Sequence, residues 1–89
     1  QAEAMGMIYK VFEDENLEVE AFSIATTLST MPTRGIALTK ILLNSSLNNS
    51  LEEQLKAEEL MQAAAGETQD YKEGVQAFLE KRKPVFKGE

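Results

Sequence analysis

The 89 residues contain no cysteine, no histidine and no tryptophan, and only two prolines. Without cysteine there can be no disulfide framework and no thiol nucleophile. Without histidine or cysteine the usual zinc sites are excluded, and so is a histidine general base. No metal ligand set is expected. No apolar run approaches the roughly 20 residues that a membrane span requires. The first ten residues lack the basic stretch and apolar core of a secretory signal. These absences predict a chain with no membrane partner in a reducing, cytoplasmic compartment. Bases are scarce as well: nine Lys and Arg stand against fifteen Asp and Glu, for a net charge of -6. A general nucleic-acid binder needs a basic face, and this balance argues against one.

What is present is ordinary globular material, 43% hydrophobic and 27% charged. At this length it makes one small domain or one piece of a larger one. Gln1 is not a Met, and Ala2 to Met5 read as the last turn of a helix already under way, with Gly6 as its terminator. This start predicts that the stretch is cut from a longer protein. The charge is uneven: residues 1–80 carry fourteen acids and five bases, whereas residues 81–89 carry Lys81, Arg82, Lys83 and Lys87 against Glu89. The acidic body reads as solvated helix surface, and the basic tail is the one place that would attract a phosphate-bearing partner.

The periodicity predicts four helices and an all-α fold, with a short extended piece near residues 7–12 (Met7, Ile8, Tyr9, Val11, Phe12). Acids from Glu13 to Glu15 open the first helix, where they offset the positive end of its dipole. Leu17, Ala21, Ile24, Ala25 and Leu28 form its stripe, and Pro32 forces an end near Thr30. Pro32 suits the first position of the second helix, Thr33 to about Ser46. There Ile36, Ala37, Leu38, Ile41, Leu42 and Leu43 lie all round the axis. A helix that is apolar on every side is normally covered on every side. Three other helices in so short a chain can hardly do that, so part of this surface should meet another domain or subunit. Ser50 and Glu53 make a capping box for a third helix, which Gly66 closes. Thr68 or Asp70 caps the fourth, with Tyr71, Val75, Phe78 and Leu79 as its stripe. Lys81, Arg82 and Lys83 are placed in its last turn, and Pro84 ends it.

Chemistry-bearing patterns are few. The acid pairs, such as Glu52 with Glu53, lie on exposed helix positions, where nothing shifts a carboxylate toward catalysis. The serines lack a histidine partner and a Gly-x-Ser-x-Gly context, and no glycine loop cradles phosphate. Ser46 follows Ser45, not the Asp of an acyl carrier protein's carrier serine, and it ends a helix. What remains is Phe78 with Lys81, three apart and so on one helix face. A ring beside an ammonium can stack a base and neutralise a phosphate together. The same pair also reads as a core aromatic and a dipole-compensating surface lysine.

The run from Asp70 to Gly88 follows the pattern D-x-x-E-G-x-x-A-F-x-E-K-R-x-P-x-F-x-G. It closely resembles the C-terminus of the enoyl-CoA hydratase/isomerase (crotonase) superfamily. Ala4-Met5-Gly6-Met7-Ile8 through Val11, Pro32 to Lys40 with Leu38-Thr39-Lys40, and Ser50-Leu51-Glu52-Glu53 to Glu58 resemble upstream family segments in the same order. Pro32-Thr33-Arg34-Gly35 and Gly66 to Tyr71 look most like the phenylacetate-pathway branch, which isomerises ring-epoxidised phenylacetyl-CoA. The resemblance implies that residues 1–89 are the helical C-terminal region, concerned with oligomerisation and with a lid over CoA. The catalytic N-terminal core lies outside this chain. It implies homo-oligomers (trimers or hexamers), a coenzyme A thioester as substrate, no covalently bound cofactor, and no catalytic residue among these 89. By the same resemblance Phe78 and Lys81 match the residues that reach the CoA adenine and 3′-phosphate, commonly of a neighbouring subunit. Gln62 stands where some hydratases carry a further aromatic. Two other readings fit the sequence: a stand-alone helical acyl-CoA-binding protein, and a helical interaction module without ligand.

Overall fold

A computed structural model describes all of residues 1–89. It contains four helices and no strand: α1 (Asp14–Ser29), α2 (Thr33–Ser46), α3 (Leu51–Gly66) and α4 (Gln69–Glu80). The expected extended piece near residues 7–12 forms no strand; Met7 to Tyr9 bend and the chain then runs to α1 with no partner strand, Val11 N–H donating to the Glu3 carboxylate at 2.8 Å. A lone segment has no ladder to satisfy its backbone, so β-forming side chains alone do not make a strand.

Local chemistry accounts for the helix ends. Gly6 takes φ +74, with Met7 N–H donating to the Ala2 carbonyl and Gly6 N–H to that of Glu3. These are the two hydrogen bonds of a Schellman stop, as the reading of Gly6 anticipated. Asp14 and Glu15 occupy the first turn of α1. Pro32 sits at the N-cap of α2, one residue earlier than expected. Ser50 and Glu53 exchange both bonds of a capping box at α3. Those bonds, the Ser50 N–H first, hold the Glu53 carboxyl below its ordinary range. Gly66 is the last residue of α3 rather than a left-handed stop, since Glu67 continues in a right-handed conformation.

The main helix interface is α2 against α3, and α3 meets α4 near their junction. Gln54 latches the first pair: its side-chain amide donates to the Leu42 carbonyl (3.2 Å) and accepts from Asn49 (3.0 Å). α1 makes no comparable contact with another helix.

Little is covered. Ala77 is the only buried apolar residue and Asp70 the only buried polar one. Exposed surface totals 7659 Å², whereas a compact 9.9 kDa protein exposes about 5,200 Å². The radius of gyration is 16.6 Å, against about 12 Å for a compact chain of this length. α2 carries no fully buried residue, and Leu43 on it is 65% exposed. A self-contained four-helix bundle buries the stripes of all four helices against one another; here Phe22 on α1 is 75% exposed.

Candidate functional site

α4 and the segment after it carry the residues that the sequence singled out. Thr68 caps the helix, its hydroxyl accepting from Tyr71 N–H at 3.1 Å. Asp70, the other candidate cap, lies inside the first turn, buried, and its carboxylate faces the chain's far end. Oδ1 accepts from Lys87 N–H (2.7 Å) and Oδ2 from Gly88 N–H (2.8 Å), while the Asp70 N–H donates to the Glu89 carbonyl (2.8 Å). The tail therefore doubles back along α4. Phe86 lies over Gly74, near enough that a Cβ there would stand 3.6 Å from the ring. Gly88 takes φ +80 and passes so close to α2 that a Cβ would stand 2.5 Å from Thr33 Oγ1. Only glycine satisfies both conditions.

α4 stops at Glu80, so Lys81, Arg82 and Lys83 do not occupy its last turn as expected. Lys81 adopts φ 55, ψ 39, a left-handed conformation that costs a side-chain-bearing residue about 1 kcal/mol. Its N–H donates to the Phe78 carbonyl (3.2 Å), and Arg82 N–H to that of Ala77 (3.0 Å). This is the same Schellman arrangement as at Gly6, built on lysine. The helix thus ends four residues before Pro84, which was expected to end it.

The three cations at this turn differ in their partners. Arg82 folds back onto Glu73 with two bonds, Nη1 to Oε1 at 2.6 Å and Nη2 to Oε2 at 2.9 Å, and its Nε reaches Glu80 at 2.6 Å. Glu73 Oε1 also accepts from Val85 N–H at 2.8 Å. The Arg82 bonds, then that of Val85, hold the Glu73 carboxyl down to about 2. Glu73 and then Glu80 push the Arg82 guanidinium upward. Glu80 is lowered by the Gln76 amide and by Arg82. Lys81 and Lys83 take part in no ion pair. They are the cations left free for an anionic ligand.

Phe78, in the apolar stripe of α4, is 82% exposed in this chain. It borders a groove of about 460 Å³ with Pro32, Tyr71, Val75 and Phe86. Gln62 lines a second groove of about 510 Å³ with Leu38, Met61 and Tyr71. Tyr71 borders both, a position the sequence reading missed by assigning it to an apolar stripe. Its place at the start of α4, beside the α3–α4 turn, was the available signal. The Ser45 and Ser46 hydroxyls are turned back onto the Ile41 and Leu43 carbonyls (2.9 and 2.7 Å), which satisfies them within the helix. No helix is long and apolar enough to cross a membrane.

The family model described as enoyl-CoA hydratase/isomerase matches residues 1–89. The chain is 47% identical over 88 residues to 1,2-epoxyphenylacetyl-CoA isomerase of Escherichia coli K12, covering 99% of this chain and 34% of that protein. It is 38% identical to a probable enoyl-CoA hydratase of Rhodobacter capsulatus, again covering 99% and 34%. An enoyl-CoA hydratase crystal structure from Geobacillus kaustophilus superposes with a TM-score of 0.90 at 33% identity, covering 99% of this chain and 34% of that one. The chain spans about a third of the length of each of these relatives. By its sequence and its helical fold alike, the chain belongs to the enoyl-CoA hydratase/isomerase family.

Proposed function

We propose that these residues are the C-terminal helical region of a larger acyl-CoA hydratase or isomerase, in which they build the trimer and close over coenzyme A. The similarity to 1,2-epoxyphenylacetyl-CoA isomerase over nearly the whole chain carries this reading and favours the phenylacetate branch. The uncovered apolar surface of α1 and α2 supports it, since such surface needs protein against it. In this reading the catalytic core lies outside these residues. There, backbone N–H groups stabilise charge on the thioester carbonyl and a carboxylate moves the proton. Phe78 meets the CoA adenine and Lys81 the 3′-phosphate. Both are exposed at one turn, and Lys81 is free of ion pairs. Gln62 supplies no ring, so stacking on the adenine falls to Phe78 and, across the neighbouring groove, to Tyr71.

The test is Lys81→Ala in the full-length protein. A remote phosphate contact is held equally in ground and transition states, so KM for the acyl-CoA rises about tenfold while kcat stays within about twofold. An unchanged KM removes Lys81 from the site.

A further inference from the structure

We infer that Asp70 and Glu73 are positioning residues for Lys81: they clamp the C-terminal tail onto α4 and thereby hold the lysine in the left-handed turn that presents its ammonium. The inference rests on the reading of Lys81 as the phosphate contact. Lysine has no intrinsic preference for this backbone conformation, which glycine normally supplies at a helix stop. The backbone bonds of the Lys81 and Arg82 amides close the turn, and the side-chain contacts that can hold it there start at the next residue. Arg82 is gripped by Glu73 through two charge-assisted bonds at 2.6 and 2.9 Å. Further along, alternate backbone amides are taken up by α4: Val85 N–H by Glu73 at 2.8 Å, then Lys87 N–H by Asp70 at 2.7 Å. Gly88 N–H completes the hold on Asp70 at 2.8 Å. Two carboxylates one helical turn apart thus bind the chain at both ends of its extended tail. Once the tail runs back along α4, the chain must reverse at Lys81, and the left-handed turn is what reverses it.

The clasp has a second effect on an anionic ligand. Glu73 and Glu80 flank the turn and would repel a phosphate if unpaired. Arg82 bonds to both, at 2.6 Å in each case, so it covers the two negative charges while leaving Lys81, with Lys83, free of ion pairs. Arg82 is therefore a charge screen and tail anchor and not a phosphate ligand.

The test measures the affinity of the full-length protein for CoA and for 3′-dephospho-CoA by calorimetry. The ratio of the two affinities reports the phosphate contact alone. In the unaltered protein it is about tenfold, the size of one charge-assisted hydrogen bond. Lys81→Ala brings it close to one. Glu73→Gln, which keeps Lys81 but opens the clasp, also brings it below about threefold, with faster hydrogen exchange at the Val85 amide. Asp70→Asn loosens the other end of the clasp, at the Lys87 and Gly88 amides, without touching the charges at the turn, and is read in the same way should the first variant fold poorly. A purely structural role would weaken both ligands together and leave the ratio unchanged; that outcome overturns the inference while Lys81 keeps its place. A ratio unmoved by Lys81→Ala overturns the phosphate reading and, with it, this inference.

Discussion

α4 with its tail and the pair α1 and α2 solve the problem of stability in opposite ways. The α4 unit contains both buried residues of the chain, Asp70 and Ala77, and is tied by directional polar bonds from Asp70 and Glu73 to the tail. The donors and acceptors of those bonds are all within these 89 residues. α1 and α2 are rich in large apolar side chains, have no buried residue and make few polar ties to the rest. Hydrogen bonds specify a local shape, whereas apolar stripes specify only that something must lie against them. The first unit is therefore legible from its own contacts, and the second points outward.

The comparison can be broken most severely on the apolar side. Leu38 and Leu42 are half-buried, and both line the groove between α2 and α3. Leu42→Asp or Leu38→Asp in the full-length protein should cost about 3 kcal/mol or more, because an unpaired charge is forced into apolar surroundings. Thermal melting and sedimentation read the result, and an unchanged melting temperature and oligomer size would refute the covered-helix account.

On the polar side the expected loss is smaller and local. Gly88→Ala requires a Cβ at positive φ against Thr33, at a cost of about 1–2 kcal/mol. Hydrogen exchange should show the Lys87 and Gly88 amides losing protection while α2 and α3 keep theirs. Spread of the effect to α2 and α3 would mean that the tail is not a separate unit.

The smallest effect is that of acid. The Glu73 carboxyl is held down to about 2 from an ordinary 4.5 because its bonds from Arg82 and Val85 favour the charged form. The folded chain then binds this proton less tightly than the unfolded chain. The stabilisation is present above about 4.5 and is lost as pH falls toward about 2. The Val85 amide resonance should titrate near the lower value and lose that dependence in Glu73→Gln. A midpoint at the ordinary carboxyl value would show that the pair is not formed in solution.

Much of this fold was legible because its signals are local. Gly6, the acids before α1, Pro32 and the Ser50–Glu53 box each act within one turn, and the helices begin and end within a residue or so of where these place them. The tail was not legible for the complementary reason. An Asp near a helix start can cap its own turn or accept from a distant amide, and its side chain serves either equally. At Asp70 the donors lie 17 and 18 residues downstream, so Thr68 caps the helix instead. Likewise no glycine marks the stop at Lys81, and the Glu73 carboxylate that captures Arg82 is nine residues away. Phe78 carried two readings in the sequence, a core aromatic or a ligand contact, because spacing on one helix face serves both; it is 82% exposed in this chain.

The central claim is that the apolar faces of α1 and α2 lie against protein outside these 89 residues. This stretch has no cysteine, so a thiol introduced into it can be followed in its own peptide by mass spectrometry. Phe22→Cys and Leu43→Cys place thiols at sites that are 75% and 65% exposed in the isolated chain, and Lys56→Cys serves as the solvent-facing control. In the native full-length protein the account predicts fast labelling at 56 and slow labelling at 22 and 43. Equal, fast labelling at all three positions would contradict it.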